Sequence, residues 1–198
     1  MRQLRIGIDI DSTIYDLEAA WVAKYNKIYG DNMKQWEFDD WDFIFSKKKI
    51  RCTPESFFWI SQHADVQWDT YPIHGAKEVL SQLQADGHLI CIVSSAKRGV
   101  IPIKVAKLMQ DFPELDYELH FTKEKWLVHL DVMIDDNPYL MKQWARLFNL
   151  PPLIVFSQRW NTKVPIPDDS QNLIVRAGNW HEVYRMINRQ ILGEEVEW

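Results

Sequence analysis

Two pairs of aspartates stand where a chain can do chemistry. Asp9 and Asp11 flank Ile10 at the end of an apolar run that begins at Leu4, and Asp135 and Asp136 follow the apolar run Leu130–Ile134. A third run, His88–Ser94, ends in the hydroxyl pair Ser94-Ser95. Short continuous apolar runs read as strands buried on both faces of a parallel sheet. In open α/β sheets ligands sit at the carboxyl ends of the strands. These ends would therefore bring four carboxylates and two hydroxyls to one rim. Crowded carboxylates repel one another and stay ionised together only when a cation holds them. An oxygen-only donor set with few groups suits Mg²⁺, which keeps several waters and shares oxygens with a substrate phosphate. Residues i and i+2 of an extended strand point the same way, so Asp9 and Asp11 can face one site while Ile10 anchors the strand. A single Asp at such a place is commonly a turn residue or a helix cap. Strand ends of this kind in this order point instead to metal-assisted work on phosphate.

The elements that must position these residues alternate along the chain. Leu4–Ile10 predicts a strand, and Asp16–Tyr29 places Leu17, Ala20, Trp21, Lys24, Tyr25 and Ile28 on one helical stripe. After Tyr71-Pro72, helices are predicted over Gly75–Ala85, Val100–Gln110, Tyr139–Phe148 and Trp180–Leu192. Between them fall strands over His88–Ser94, Leu130–Ile134, Leu153–Phe156 and Leu173–Val175, and an acidic tail, Glu194–Trp198, ends the sequence. Strand–helix alternation predicts an α/β fold with a doubly wound parallel sheet. Residues 31–72 lack a strand period. With the helix before them they hold five of the ten tryptophans: Trp21, Trp36, Trp41, Trp59 and Trp68. The expected organisation is a small helical cap, residues 16–72, inserted after the first strand of a core made of residues 1–15 and 73–198.

Composition excludes several classes. With 198 residues, 46% hydrophobic and 26% charged, the chain is neither disordered nor collagen-like. No apolar run approaches the roughly 20 residues that span a bilayer, and no signal-peptide pattern opens the sequence, so a secreted form is not expected. Cys52 and Cys91 make no disulfide framework. The histidines show no ligand spacing and are assigned to structure. A net charge of −5 offers no basic field to a nucleic acid polymer.

The strand ends resemble the four motifs of the haloacid-dehalogenase-like (HAD) phosphatase superfamily. Asp9-Ile10-Asp11-Ser12-Thr13 matches Asp-x-Asp-x-Thr, Ser94 the hydroxyl after the second strand, Lys125 the motif-three lysine, and Asp135-Asp136 the final acidic pair. Lys123 competes with Lys125 for its place. Within that superfamily the chain is similar to the 5′(3′)-deoxyribonucleotidases. This likeness rests on Asp16, Phe57-Phe58, Pro72-x-x-Gly75-Ala76, Ile92-Val93-Ser94-Ser95, Thr122-Lys123-Glu124-Lys125, Asp135-Asp136-Asn137-Pro138, Asn161 and Trp180. It departs at Ser12-Thr13 (usually Gly-Val), at Ser95-Ala96 (usually Ser-Pro) and in a longer stretch between Phe58 and Pro72, which bears on substrate more than on chemistry.

The resemblance implies a HAD-like Rossmannoid core and a Mg²⁺-dependent nucleoside monophosphate phosphatase. Asp9 would be the nucleophile that forms an aspartyl-phosphate, and Asp11 the acid and then the base. Asp9, the Asp11 carbonyl and Asp136 would hold the metal directly, with Asp135 as a water-mediated or orienting ligand; Ser94 and Lys125 would stabilise phosphoryl charge. Phe57, Phe58 and Trp59, with Leu17 and Trp68, are candidates for a base-stacking wall, although such residues also build a cap's own core. Ser95, Lys97 and Arg98 are candidates for phosphate or base contact, and the Lys97-Arg98 pair is equally an exposed basic face. The expected partner is a small nucleotide, with no polymer and no membrane; a homodimer is left open. The expected location is cytoplasmic. The alternatives are a HAD phosphatase for another small ester or a nucleic-acid phosphate end, and a catalytically silent nucleotide-binding module.

Overall fold

β1 (Arg5–Ile8) is the hub of the molecule. The computed structural model describes residues 2–41 and 51–193, apart from the side chains of Pro54, Phe57, Phe58 and Gln190. β1 lies between β2 (Leu89–Ser94) and β4 (Val132–Asp135); β3 (Tyr117–Phe121) borders β2, and β5 (Leu153–Phe156) and β6 (Ile174–Ala177) continue beyond β4. All pairings are parallel, in the order β3-β2-β1-β4-β5-β6. The strand order reverses between β1 and β4, which opens a crevice at their carboxyl ends. Ile8 stands level with Ile92 and Ile134, and the Asp9 amide donates to the Ile134 carbonyl at 3.0 Å. That register sets Asp9 beside Asp135.

Alternate residues of each strand feed two cores. Ile6, Ile8, Ile90, Ile92 and Ile134 pack with Val79, Leu80 and Leu83 of α4 (Ala76–Ala85), Leu108 of α5 (Ile101–Asp111) and Val183 of α7 (Trp180–Met186). Cys91, Val93, Met133 and Val155 pack under Leu140, Met141 and Trp144 of α6 (Pro138–Arg146). A third cluster, which includes Trp21, Tyr25, Met33, Ile60 and Val66, joins α1 (Leu17–Tyr29), α2 (Pro54–Ser61) and α3 (Ala64–Trp68). The segment between β1 and α4 thus has an apolar cluster of its own. The Asp16 carboxylate starts α1 by accepting the Ala19 amide at 2.9 Å, and Thr53 caps α2.

The structure is an α/β fold with a parallel sheet flanked by helices, as the alternation of elements implied. Three elements differ from the sequence reading. The first strand stops at Ile8 because the Ile10 carbonyl accepts the amides of both Ile14 and Tyr15 at 3.0 Å, and Ser12 turns the chain with φ of 58°. β3 goes unseen in the sequence because Tyr-Glu-Leu-His-Phe is a half-exposed edge strand without a continuous apolar run. The closing helix passes from α-helical to π-helical geometry over Ile187–Leu192. The acidic tail lies outside the described residues.

Gly7 tests how tightly this frame is packed. A Cβ on Gly7 would lie 2.4 Å from Leu130 Cδ1 and 2.8 Å from Met133 Sδ. Overpacking of a filled core costs about 1–3 kcal/mol, and each kcal/mol shifts the midpoint of a chain this size by roughly 2–4 °C. Gly7→Ala is expected to lower the thermal midpoint accordingly, read by circular dichroism; an unchanged midpoint would mean that the neighbouring side chains give way freely.

Candidate active site

At the switch point three carboxylates meet one ammonium. Asp9, Asp135 and Asp136 are all buried, and each offers an oxygen within 4.8 Å of the others. Lys125, buried in a short 3₁₀ turn (Lys125–Leu127), donates from Nζ to Asp9 Oδ1 at 2.6 Å and to Asp135 Oδ2 at 2.5 Å. The other Asp135 oxygen accepts the Asn137 amide at 2.8 Å. Asp136 Oδ2 accepts the Trp160 indole N–H at 3.0 Å, while among the described residues Oδ1 meets only the Thr13 hydroxyl, at 3.4 Å. Asn137 caps α6 by accepting the Tyr139 and Leu140 amides, with Pro138 in the first helical turn. The Asp-Asp-Asn-Pro run therefore ends a strand, turns, and starts a helix beneath the site.

The electrostatics show what the cluster lacks. Burial pushes Asp135 up to about 6 even though Lys125 pulls it down. Burial, with Asp135 and Asp9 alongside, holds Asp136 well above the usual carboxylate range. Burial alone would lower the Lys125 ammonium, but Asp135 and Asp9 more than offset that and raise it. Among the described residues, three carboxylates against one lysine leave the group short of positive charge. A hard divalent cation with oxygen ligands fits that deficit and donor set.

The acids line one side of a cavity of about 360 Å³. Ser94, buried at the end of β2, and the exposed Ser95 line it too, as does Asp11, whose carboxylate accepts a hydrogen bond from the Lys104 ammonium. Leu17, Glu18, Trp21, Phe38, Trp41 and Trp160 close the facing side. The rings interlock: Phe38 meets Trp21 with centroids 5.8 Å apart and Trp160 at 5.5 Å, and Trp41 meets Trp160 at 6.4 Å. Glu18 is buried and accepts Arg159 Nη1 at 3.0 Å. Burial pushes its carboxyl up to about 8 against the pull of Arg159, and Asp16 adds to the rise.

The structure brings together Asp9, Asp11, Ser94, Ser95, Lys125, Asp135, Asp136 and Leu17. Arg98 is exposed ahead of α5 and lies outside the cavity lining. Trp59 is 57% exposed and meets His63 edge-on, and Trp68 is also exposed; neither lines the cavity. The side chains of Phe57 and Phe58 lie outside the described residues. Sequence reasoning missed Lys104, Glu18, Phe38 and Trp160. Lys104 left a signal, since Val100, Lys104, Lys107 and Leu108 form one buried helical stripe, and a lysine there needs a partner. A second group of possible ligands, Cys91, Glu118 and His120, lies on β2 and β3. Arg5 grips both Glu118 oxygens there, at 3.0 and 2.7 Å, and answers its charge.

A parallel α/β sheet with acids at the ends of β1 and β4 and a helical insertion after β1 defines a HAD-like hydrolase. Comparison with known proteins agrees. Residues 2–192 match the family described as 5′ nucleotidase, deoxy (pyrimidine), cytosolic type C protein. A 5′(3′)-deoxyribonucleotidase from Clostridium acetobutylicum is 30% identical over 184 residues, 92% of this chain and 93% of that protein. Among solved structures, a candidate phosphoglycolate phosphatase from Lactobacillus delbrueckii subsp. bulgaricus aligns with a TM-score of 0.62 at 14% identity, covering 98% of this chain and all of that one. A candidate HAD-hydrolase, YfnB of Bacillus subtilis, bound to magnesium, aligns with a TM-score of 0.58 at 14% identity, covering 95% of this chain and all of that one. The chain belongs to the deoxy 5′-nucleotidase type C family and is a HAD-type nucleotide phosphatase, a phosphoric monoester hydrolase. No described helix is long and apolar enough to cross a membrane.

Glu18 gives this site a pH signature. Its carboxyl titrates near 4.5 when unfolded and is raised to about 8 in the folded protein. A raised acid binds its proton on folding, so its contribution is complete below about 4.5 and is lost as pH rises through about 8. The slope from this one group is at most about 1.4 kcal/mol per pH unit. Glu18→Gln is expected to flatten the fall in thermal stability between pH 5 and 8 (about 1.4 kcal/mol per unit at most), measured by denaturant titration. A variant with the wild-type slope would contradict the assignment.

Proposed function

We propose that this protein hydrolyses deoxyribonucleoside monophosphates with Mg²⁺ through an aspartyl-phosphate on Asp9. The observation that carries the reading is the buried trio of carboxylates, matched by a single lysine, at the floor of an aromatic-walled cavity. The deoxyribonucleotidase relative supports the substrate class. Asp9, the Asp11 carbonyl and Asp136 would hold the cation. Asp136 keeps one oxygen with only a long hydroxyl contact, whereas both Asp135 oxygens are engaged, which suits Asp135 to orienting Lys125. When bound, the cation draws charge from the phosphoryl oxygens.

The chain's own groups carry the rest. The Asp9 carboxylate attacks phosphorus in line, and the ester P–O bond breaks as Asp11 gives its proton to the leaving alkoxide. Asp11 then takes a proton from water, which attacks the same phosphorus and releases phosphate and free Asp9. Lys104 holds the Asp11 carboxylate by a hydrogen bond and so fixes its place for both proton transfers. The Ser94 hydroxyl, with Ser95 beside it, would donate to a phosphoryl oxygen while Lys125 offsets charge. Residues 16–72 would act as the cap that selects the leaving group. Base–aromatic stacking is worth about 1–3 kcal/mol, and Phe38, Trp41 and Trp160 offer faces for it. The cytosolic type of the matched family supports a role in a cytosolic nucleotide pool.

The test is phosphate release from a panel of 5′ and 3′ deoxy- and ribonucleoside monophosphates. Turnover is expected with Mg²⁺, greatest for deoxyribonucleotides, and abolished by chelator. Asp9→Asn should lose several orders of magnitude, as when a nucleophile is removed. Equal turnover by chelated enzyme, or by Asp9→Asn, would overturn the mechanism.

A further inference from the structure

Four consecutive residues after β5 each reach a different part of the site. Gln158 Nε2 donates to the Ser12 carbonyl at 2.5 Å, and Arg159 to Glu18 at 3.0 Å. Trp160 Nε1 donates to Asp136 Oδ2 at 3.0 Å, and Asn161 Nδ2 to the Asp136 and Phe156 carbonyls at 2.7 Å each. This loop therefore grips the turn after β1, the first helix of the insertion, and both ends of the Asp136 residue.

Trp160 is the residue where these ties meet. A buried indole N–H needs an acceptor, and a backbone carbonyl would serve. Trp144 and Trp180 use one, the carbonyls of Pro151 at 2.7 Å and Thr13 at 3.1 Å. Trp160, 5% exposed, instead gives its N–H to a carboxylate of the acidic cluster. Its ring lies under the insertion, 5.5 Å from Phe38 and 6.4 Å from Trp41. One rigid side chain thus joins an oxygen of Asp136 to the aromatic wall of the cavity.

We infer that Trp160 is a positioning residue that fixes Asp136 for the cation and couples cation binding to occupancy of the aromatic cavity. The inference rests on the reading above in which Asp136 holds Mg²⁺. A group that orients a metal-ligating carboxylate typically contributes 10–100-fold in metal affinity. Coupling between two sites is reciprocal, so a nucleoside that orders Phe38 against Trp160 strengthens Mg²⁺ binding by the factor that Mg²⁺ returns to it.

The experiment is calorimetric titration of the whole protein with Mg²⁺, alone and with saturating thymidine. Trp160→Phe keeps a ring beneath Phe38 and Trp41 but has no N–H. It is expected to bind Mg²⁺ about 10–100-fold more weakly while its midpoint in chelator stays near wild type. By reciprocity, thymidine is expected to bind the wild type more tightly with Mg²⁺ than with chelator, and to bind Trp160→Phe equally well in both. Should Trp160→Phe fold poorly, 3-benzothienylalanine at position 160 has the indole's shape without its donor and repeats the test. Wild-type Mg²⁺ affinity in the donor-less protein overturns the positioning role, and an effect of Mg²⁺ on thymidine affinity that persists in Trp160→Phe overturns the coupling. Absence of Mg²⁺ binding in the wild type itself would overturn the metal reading and this inference together, a result distinct from either.

Discussion

The hydrogen bonds from Lys125 to Asp9 and Asp135 are the constraint on which the rest depends. Ionised carboxylates are costly to bury unless paired. Here three of them are buried with one partner, and the raised Asp135 and Asp136 record the strain. Active sites accept such local cost because a deficit of positive charge binds a cation, and the cation in turn attracts an anionic phosphate.

The fold is organised to hold that deficit in place. The parallel register sets Asp9 beside Asp135, the reversal of strand order opens the crevice above them, and Asn137-Pro138 turns the chain directly into α6. Lys104, from the buried face of α5, reaches Asp11, and Lys107 of the same helix pairs with Asp111 and lies near the rings of Tyr15, Trp68 and Tyr71. The insertion brings an apolar cluster of its own and lends Phe38 and Trp41 to the cavity, where they meet Trp160 from the core.

How much of this was legible in the sequence follows from how local each signal is. Strand ends are local: an apolar run followed by Asp-x-Asp, Ser-Ser or Asp-Asp declares the element and puts its acids and hydroxyls at one rim, and the alternation of elements gave the sheet. β3 was illegible because an edge strand alternates like any exposed loop. Glu18 and Trp160 were illegible for another reason, since each acquires its role from a partner far along the chain, and the helical stripe that holds Lys104 signals its burial without naming Asp11. The aromatic wall shows the same limit. Tryptophan density drew the eye to residues 16–72, but Trp59 and Trp68 turn outward while Phe38 and Trp41 line the cavity, a difference that composition does not carry.

The most direct test of the central claim is the thermal midpoint of Asp136→Asn beside wild type, with chelator and with Mg²⁺. If the buried acids are short of positive charge, removing one should raise the midpoint in chelator by a few degrees and abolish the stabilisation that Mg²⁺ gives the wild type. A variant less stable than wild type in chelator, or a wild type indifferent to Mg²⁺, would contradict it.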